Sequence, residues 1–295
     1  VTREETTVKV YISVDIEGVA GIVDRAQASL PGIDYERGRR LMTQEAAAAV
    51  RGALAGGAKE IWVSDSHGSN GSRNIIVEDL PQECWLISGD SRPMAQIEGL
   101  DRSFAALALV GYHTRHGLSG VLDHTFSGRE VYELKLNGRP VGEVGLNASV
   151  AGHLGVPVVL VSGDHKLAGE VAEILPWTER VVVKDAIGRH AAKTMHPQRA
   201  RQAIEDGVKR ALGRLGEMKP FEIGKPVRAE LAFKHTSMAD AAAVMPGVER
   251  IGDMTIRITT PDAVAAYPLI VTAIHLGGHA VSSPMKLGGM NPPGS

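Results

Sequence analysis

Residues 8–14 form the first strongly apolar run of the chain, and the run passes directly into Ser13-Val14-Asp15-Ile16-Glu17-Gly18. This predicts a buried strand that ends in an acidic turn. Residues 35–54 then place Leu41, Met42, Ala46, Ala49, Val50 and Ala53 at helical spacing and stop at Gly56-Gly57, which predicts a helix lying on one face of a sheet. The unit recurs. Residues 60–64 (Glu-Ile-Trp-Val-Ser) predict a buried strand, followed by the polar loop Asp65-Ser66-His67-Gly68-Ser69-Asn70-Gly71. Residues 84–88 predict a short strand, and the apolar run 105–112 ends at His113. Residues 131–136 and 139–141, joined by Asn137-Gly138, predict a hairpin. A helix from Glu143 to about 155 leads to a buried strand over 156–162. Strands alternating with helices and punctuated by glycine predict an α/β fold with a mainly parallel sheet flanked by helices.

The pattern changes after Pro176. Residues 197–215 carry Ile204, Val208, Leu212 and Leu215 on one helical face with proline in the first turn. Residues 219–226 predict a linker. Beyond it lie a strand over 227–233, a helix closed by Met245-Pro246-Gly247, a strand pair around Gly252-Asp253 and a last helix over 262–276. The expected organisation is an α/β metal-binding catalytic domain over 1–190, a smaller C-terminal α+β domain over 191–281, and a flexible tail over 282–295 that contains Gly-Gly and Pro-Pro.

Composition narrows the class. At 295 residues, 43% hydrophobic and 22% charged, the chain has the make-up of an ordinary globular protein with a sizeable core. A formal net charge of -2 with no long basic run, and only 4% aromatic residues, argue against a nucleic-acid partner. The one cysteine, Cys84, excludes an internal disulfide framework, fits a reducing compartment and is read as a small buried hydrophobe. Residues 1–7 have no apolar signal core and no run reaches the length of a membrane span, so a soluble, cytoplasmic protein with no membrane partner is expected. The chain does not begin with Met, which leaves a removed leader open.

Candidate chemistry gathers at the predicted strand ends. Asp15 and Glu17 are two apart on a strand and point to the same side. At roughly 5 Å and an effective dielectric near 20 their repulsion costs about 3 kcal/mol, which a bound cation removes. The plain alternative is a strand that frays into a solvated acidic turn closed by Gly18. His67 follows the 60–64 strand and His113 the 105–112 run, and in open α/β sheets the ligand crevice lies outside the carboxyl ends of the strands. Glu143, at the start of a helix entered from the hairpin, can join from the flank, although a helix start favours a carboxylate in any case. Three carboxylates and two imidazoles suit zinc, with manganese or cobalt as substitutes. Five ligands exceed what one catalytic zinc takes from protein, so two zincs bridged by Asp15 are expected: one on Asp15, Glu17 and His67, the other on Asp15, His113 and Glu143. Singly, His67 reads equally as a solvated loop residue and His113 as a core histidine. His124, 11 residues after His113 in a segment returning over the crevice, reads as a general base or as a loop histidine paired with Asp123.

Other sites lack support. There is no His-Glu-x-x-His, Gly-x-Ser-x-Gly, phosphate loop or Gly-x-Gly-x-x-Gly. His275 and His279 lie four apart, but Gly277-Gly278 is expected to weaken the helix between them. His165 is an outside candidate, and His153, His190, His196 and His235 read as helix or surface residues.

Taken in order, Ser13-Val14-Asp15-Ile16-Glu17-Gly18, Tyr35-Glu36-Arg37-Gly38-Arg39, Asp65-Ser66-His67, Leu86-Ile87-Ser88-Gly89-Asp90, Gly111-Tyr112-His113 and Arg139-Pro140-Val141-Gly142-Glu143-Val144-Gly145-Leu146-Asn147 resemble the zinc-dependent D-aminopeptidase family from about residue 8 to about residue 280. The resemblance implies a dinuclear zinc hydrolase that removes N-terminal D-amino acids from short peptides or amides. The family's ligands fall on Asp15, Glu17, His67, His113 and Glu143, and its additional catalytic histidine falls on His124. It also implies a ring-like homo-oligomer. The second region matches more loosely, which leaves two other readings: a hydrolase of aminoacyl amides or esters without D-selectivity, and a metal-stabilised binding protein without turnover.

Overall fold

The computed structural model describes residues 8–282; the opening residues 1–7 lie outside the described residues, as does the tail expected over 282–295 apart from Ser282, which ends the last helix. In chain order the first half holds β1 (Lys9–Val14), α1 (Arg25–Ala28), α2 (Tyr35–Ala55), β2 (Glu60–Asp65), β3 (Cys84–Ile87), β4 (Ala106–Val110), β5 (Val131–Leu136), β6 (Arg139–Pro140) and α3 (Glu143–His153). The second half holds β7 (Val158–Asp164), α4 (His165–Ile174), β8 (Glu179–Gly188), β9 (Ala191–Thr194), α5 (Pro197–Gly213), β10 (Val227–Phe233), α6 (Thr236–Ala242), β11 (Val248–Arg250), β12 (Thr255–Thr260) and α7 (Ala263–Ser282).

Two sheets result. In the first the strand order is β3-β2-β1-β4-β7-β8-β9, parallel throughout except for the antiparallel edge strand β9. β4 and β7 are buried along their whole length because helices or the second sheet cover both faces, which is why they read as continuous apolar runs. The chain leaves β1 for β2 on one side and pairs β1 with β4 on the other. The carboxyl ends of β1 and β4 therefore flank a switch in strand order, where an open α/β sheet forms its crevice. The second sheet, β11-β12-β10-β5-β6, is antiparallel.

Side-chain alternation along β1 divides the core. Val10, Ile12 and Val14 face α2 and α5 together with Met42, Ala46, Ile204 and Val208. Tyr11 faces the opposite layer, where Leu146 and Val150 of α3, Leu231 of β10 and Ile270 of α7 pack against Leu107 and Leu109. The second sheet thus closes over the first along the face that α3 occupies. The hairpin strand β5 pairs with β10, almost a hundred residues later, while α5 returns to pack on α2, β7 and β8.

Several expectations shift. α4, β8 and β9 were not distinguished in the sequence, because β8 mixes buried and exposed positions without clean alternation. Cys84 is only half-buried, since β3 is an edge strand; its thiol donates to Pro81 O at 3.1 Å. The last helix runs straight through Gly277-Gly278, against the expected weakening, because it lies against α6, α3, β12 and β10. Its segment Ala263–Ala280 is long and apolar enough for a membrane span by length and composition, but Ala266, Tyr267, Ile270 and Ile274 are buried in the core.

The loops after β1 and β4 touch backbone to backbone. Asp15 N donates to Val110 O and Gly18 N to Gly111 O, each at 2.8 Å. A Cβ on Gly18 would stand 1.9 Å from Tyr112 O, so only glycine allows the approach. Gly18→Ala is expected to cost about 2–3 kcal/mol of stability through overpacking, which denaturant titration against the unaltered chain measures.

Candidate metal centre

The end of β1 delivers two acids and the neighbouring strand ends deliver the imidazoles. Asp15, Glu17 and His67 form one compact group, and His113, His124 and Glu143 form a second. Asp15 joins them: its Oδ1 lies 3.1 Å from His67 Nδ1 and its Oδ2 lies 3.4 Å from His113 Nε2. Glu17 Oε2 is 3.1 Å from His67 Nδ1, and Glu143 Oε1 is 3.3 Å from His113 Nε2 and 3.8 Å from His124 Nε2. All of these side chains are buried except that of His124, which is half-buried and faces a cavity of about 1100 Å³.

The tautomers follow from the remaining ring nitrogens. His67 Nε2 meets Ala28 O at 2.6 Å, His113 Nδ1 meets Thr114 O at 2.9 Å, and His124 Nδ1 meets Leu122 O at 2.8 Å. A carbonyl only accepts, so each of these nitrogens carries the proton. In the neutral rings the other nitrogens then turn lone pairs toward carboxylate oxygens. Acceptor facing acceptor in a buried site is stable only with a proton or a cation between them. His113 Nε2 and Glu17 Oε2 are buried with no hydrogen-bond partner among the described residues, and both point into this gap. A nitrogen and oxygen donor set of this kind fits zinc.

The electrostatics agree. Burial alone would raise the Asp15 carboxyl, yet His113 and His67 outweigh it and hold the group well below the usual carboxylate range. Burial likewise opposes ionisation of Glu143, and His113 draws its pKa down to about 2. Burial disfavours the charged forms of His67 and His113, but Glu17 and Asp15 for the first, and Glu143 and Asp15 for the second, push both well upward. Protons therefore balance the three carboxylates when no cation does, and a divalent ion takes their place on deprotonated ligands.

Neighbouring groups fix the ligands. Gln96 donates to Glu143 and, through Oε1, accepts from Asn147 Nδ2 at 2.7 Å. Phe126 N donates to Glu143 Oε1 at 2.8 Å. Asn147 also reaches Tyr112 OH at 3.1 Å, and that hydroxyl meets Ser13 Oγ at 2.6 Å. The His124 ring stacks on His113, with centroids 4.0 Å apart and an interplanar angle of 11°. Lys184 of β8, 2% exposed, donates to Glu17 O, Val19 O and Ile22 O at 2.6, 3.0 and 2.6 Å, so it clamps the loop that carries Glu17. Burial pushes its pKa down to about 8, against the pull of Glu45, Asp164 and Glu17.

The six sequence-predicted residues come together here: Asp15, Glu17, His67, His124 and Glu143 line the cavity, and His113 lies behind them against Asp15 and Glu143. His275 and His279 also line it, on exposed positions of α7 away from both groups. His165 instead accepts from Ala186 N at 3.1 Å, His153 and His190 lie near Asp262 and Asp24, and His196 and His235 precede α5 and α6. Sequence reasoning missed Gln96 and Lys184, which carry no local signal. It quoted Asn147 without a role, although its spacing of four from Glu143 places both on one helix face.

Comparison with known proteins places the chain beside zinc-dependent relatives. The family model described as D-aminopeptidase, Peptidase M55, matches residues 8–272. The D-aminopeptidase of Bacillus subtilis (strain 168) is 36% identical over 271 residues, 91% of this chain and 97% of that protein. A solved structure described as the Zn-dependent D-aminopeptidase DppA from Bacillus subtilis, a self-compartmentalizing protease, superposes with a TM-score of 0.88 at 35% identity, covering 92% of this chain and 98% of that one.

Lys184→Met removes the donor from three buried carbonyls at once. It is expected to lower stability by about 3 kcal/mol and to speed loss of zinc to a chelator, both followed on the same preparation by melting and by a metal-indicator dye.

Proposed function

The chain belongs to the D-aminopeptidase family, Peptidase M55, and from that premise we propose that it is a zinc-dependent aminopeptidase releasing N-terminal D-amino acids from short peptides or amides. The observation that carries the reading is the Asp15 carboxylate, whose two oxygens each face a different imidazole. One carboxylate spanning two ligand groups is the arrangement a dinuclear site needs. Asp15, Glu17 and His67 would hold one zinc, and Asp15, His113 and Glu143 the other; manganese or cobalt suits the same donors. Bound there, zinc polarises carbonyl oxygens and acidifies water, which is the chemistry amide hydrolysis requires.

The protein's own residues supply the rest. His124 is the one imidazole of the site with substantial access to the cavity. Its Nδ1 proton is committed to Leu122 O, so Nε2 is the atom that takes a proton from water and returns it to the leaving amine. Stacking on His113 holds the ring in plane for that transfer. Gln96 and the Phe126 amide keep Glu143 from turning away. A homo-oligomer is part of the proposal: the similar solved structure is described as self-compartmentalizing, and Leu30, Ile33, Trp85 and Ile187 are exposed here. The single, unpaired Cys84 suits a reducing cytoplasm.

His124→Ala is expected to keep zinc near the unaltered content while turnover of D-aminoacyl amides falls about 10²- to 10⁴-fold. Zinc loss in that variant would make His124 a ligand, as its proximity to Glu143 permits. Asp15→Ala is expected to lose both metals and Glu17→Ala mainly one, measured by elemental analysis. A panel of matched D- and L-aminoacyl amides, with and without chelator, tests the substrate class; equal rates on both series would remove D-selectivity, and unchanged rates in chelator would remove the metal.

A further inference from the structure

The cavity that holds both ligand groups also carries four arginines: Arg25, Arg92, Arg129 and Arg189. Two are committed to the fold. Arg92 donates to Asp65 O at 2.6 Å and Ser64 Oγ at 3.2 Å, and Arg189 pairs with Asp123 at 3.0 Å. The guanidinium groups of Arg25 and Arg129 have no hydrogen-bond or ion-pair partner among the described residues.

Arg129 differs from Arg25 in how it is presented. It follows Gly128, which lies directly on His124: a Cβ at Gly128 would stand 3.4 Å from His124 Cβ. The loop around it is tied at several points. Phe126 N donates to Glu143 Oε1 at 2.8 Å, Lys234 Nζ to Gly128 O at 2.5 Å, and Lys234 N to Glu130 O at 2.9 Å. The adjacent acid, Glu130, accepts from Ser127 and lies against Gly278, and makes no ion pair with Arg129 among the described residues. The loop backbone is thus held in place, and from it the exposed, unpaired Arg129 side chain reaches into the cavity one residue from the contact with the proposed proton-transfer histidine.

We propose that Arg129 anchors the free C-terminal carboxylate of a short peptide substrate, and so makes the cavity selective for peptide acids over peptide amides. The proposal rests on the aminopeptidase reading above. A cavity of about 1100 Å³ is far larger than a dipeptide, so shape alone cannot place the scissile bond. Asp15, Glu17 and Glu143 at its floor are committed to the metals in the proposed enzyme, so a substrate's terminal carboxylate needs a separate partner on the cavity wall. In a substrate of two or three residues the terminal carboxylate trails the scissile carbonyl by roughly 3.5 Å per extended residue. The anchor must therefore come from the cavity wall close to the catalytic group, and Arg129 lines that wall next to the residue that contacts His124. A guanidinium binds a carboxylate through two parallel hydrogen bonds, which fixes direction as well as distance. Longer peptides carry their carboxylate beyond this position and gain nothing from it.

Steady-state kinetics of the zinc-loaded full chain on D-alanyl-D-alanine, its C-terminal amide and D-alanyl tetrapeptide test the assignment. The unaltered enzyme is expected to prefer the dipeptide acid over its amide in kcat/KM by about tenfold to a hundredfold, the range for a hydrogen bond to a charged group. In Arg129→Met the acid-to-amide ratio falls towards unity through KM, Arg129→Lys recovers part of it, and Arg25→Met keeps it. A ratio near unity in the unaltered enzyme, or one that survives Arg129→Met or disappears in Arg25→Met, overturns the anchor while leaving the aminopeptidase reading intact. Failure of the unaltered enzyme to hydrolyse any D-alanyl compound overturns both.

Discussion

Three carboxylates with almost no access to water share one pocket, and everything around them is arranged to make that tolerable. Unbalanced, Asp15, Glu17 and Glu143 would repel one another in a medium that screens poorly. The imidazoles of His67 and His113 lie between them, each with its far nitrogen bonded to a backbone carbonyl and its near nitrogen toward two acids. That polarity leaves a place for positive charge on each side of Asp15. Protons fill it at the expense of the histidines' ligand capacity; a divalent ion fills it and restores that capacity.

The fold supplies the rigidity such a site requires. β1 and β4 are adjacent parallel strands, and the loops leaving them are fastened by backbone hydrogen bonds across Gly18 and Gly111. Behind the Glu17 loop, a buried ammonium from β8 grips the carbonyls of Glu17, Val19 and Ile22. In front, α3 brings Glu143 and Asn147 from the layer shared with the second sheet. The candidate ligands are thus gathered from strand ends and a helix that lie far apart in the chain, and Lys184 braces the loop that carries one of them.

Towards the cavity the character changes. His124 and the loop that follows it are less buried and are held by a few hydrogen bonds, with Phe126 packed on the core as their anchor. This is where proton transfer and substrate contact belong, because groups that exchange protons or ligands with solution need access. The contrast between a closed floor and an accessible wall separates the residues that hold charge from those that act on a substrate.

Much of this was legible along the chain. Parallel strands buried on both faces read as apolar runs, and where such a run stops at a polar residue the crevice end is marked; Asp15, Glu17, His67 and His113 all announce themselves this way. Glu143 is marked by the turn and helix start before it. These are local signals, set by strand and helix periodicity within a few residues. The partnership of β5 with β10, the return of α5 to the first sheet, the persistence of α7 through two glycines, and the roles of Gln96 and Lys184 have no such signal. Each depends on which distant surface covers an element or which distant carbonyl lacks a donor, and those are settled only when the chain is packed. The sequence by itself determined which residues would face the crevice; the tertiary structure decided that Asp15 would stand between two imidazoles, because only the juxtaposition of β2 and β4 on either side of β1 brings His67 and His113 to opposite oxygens of one carboxylate.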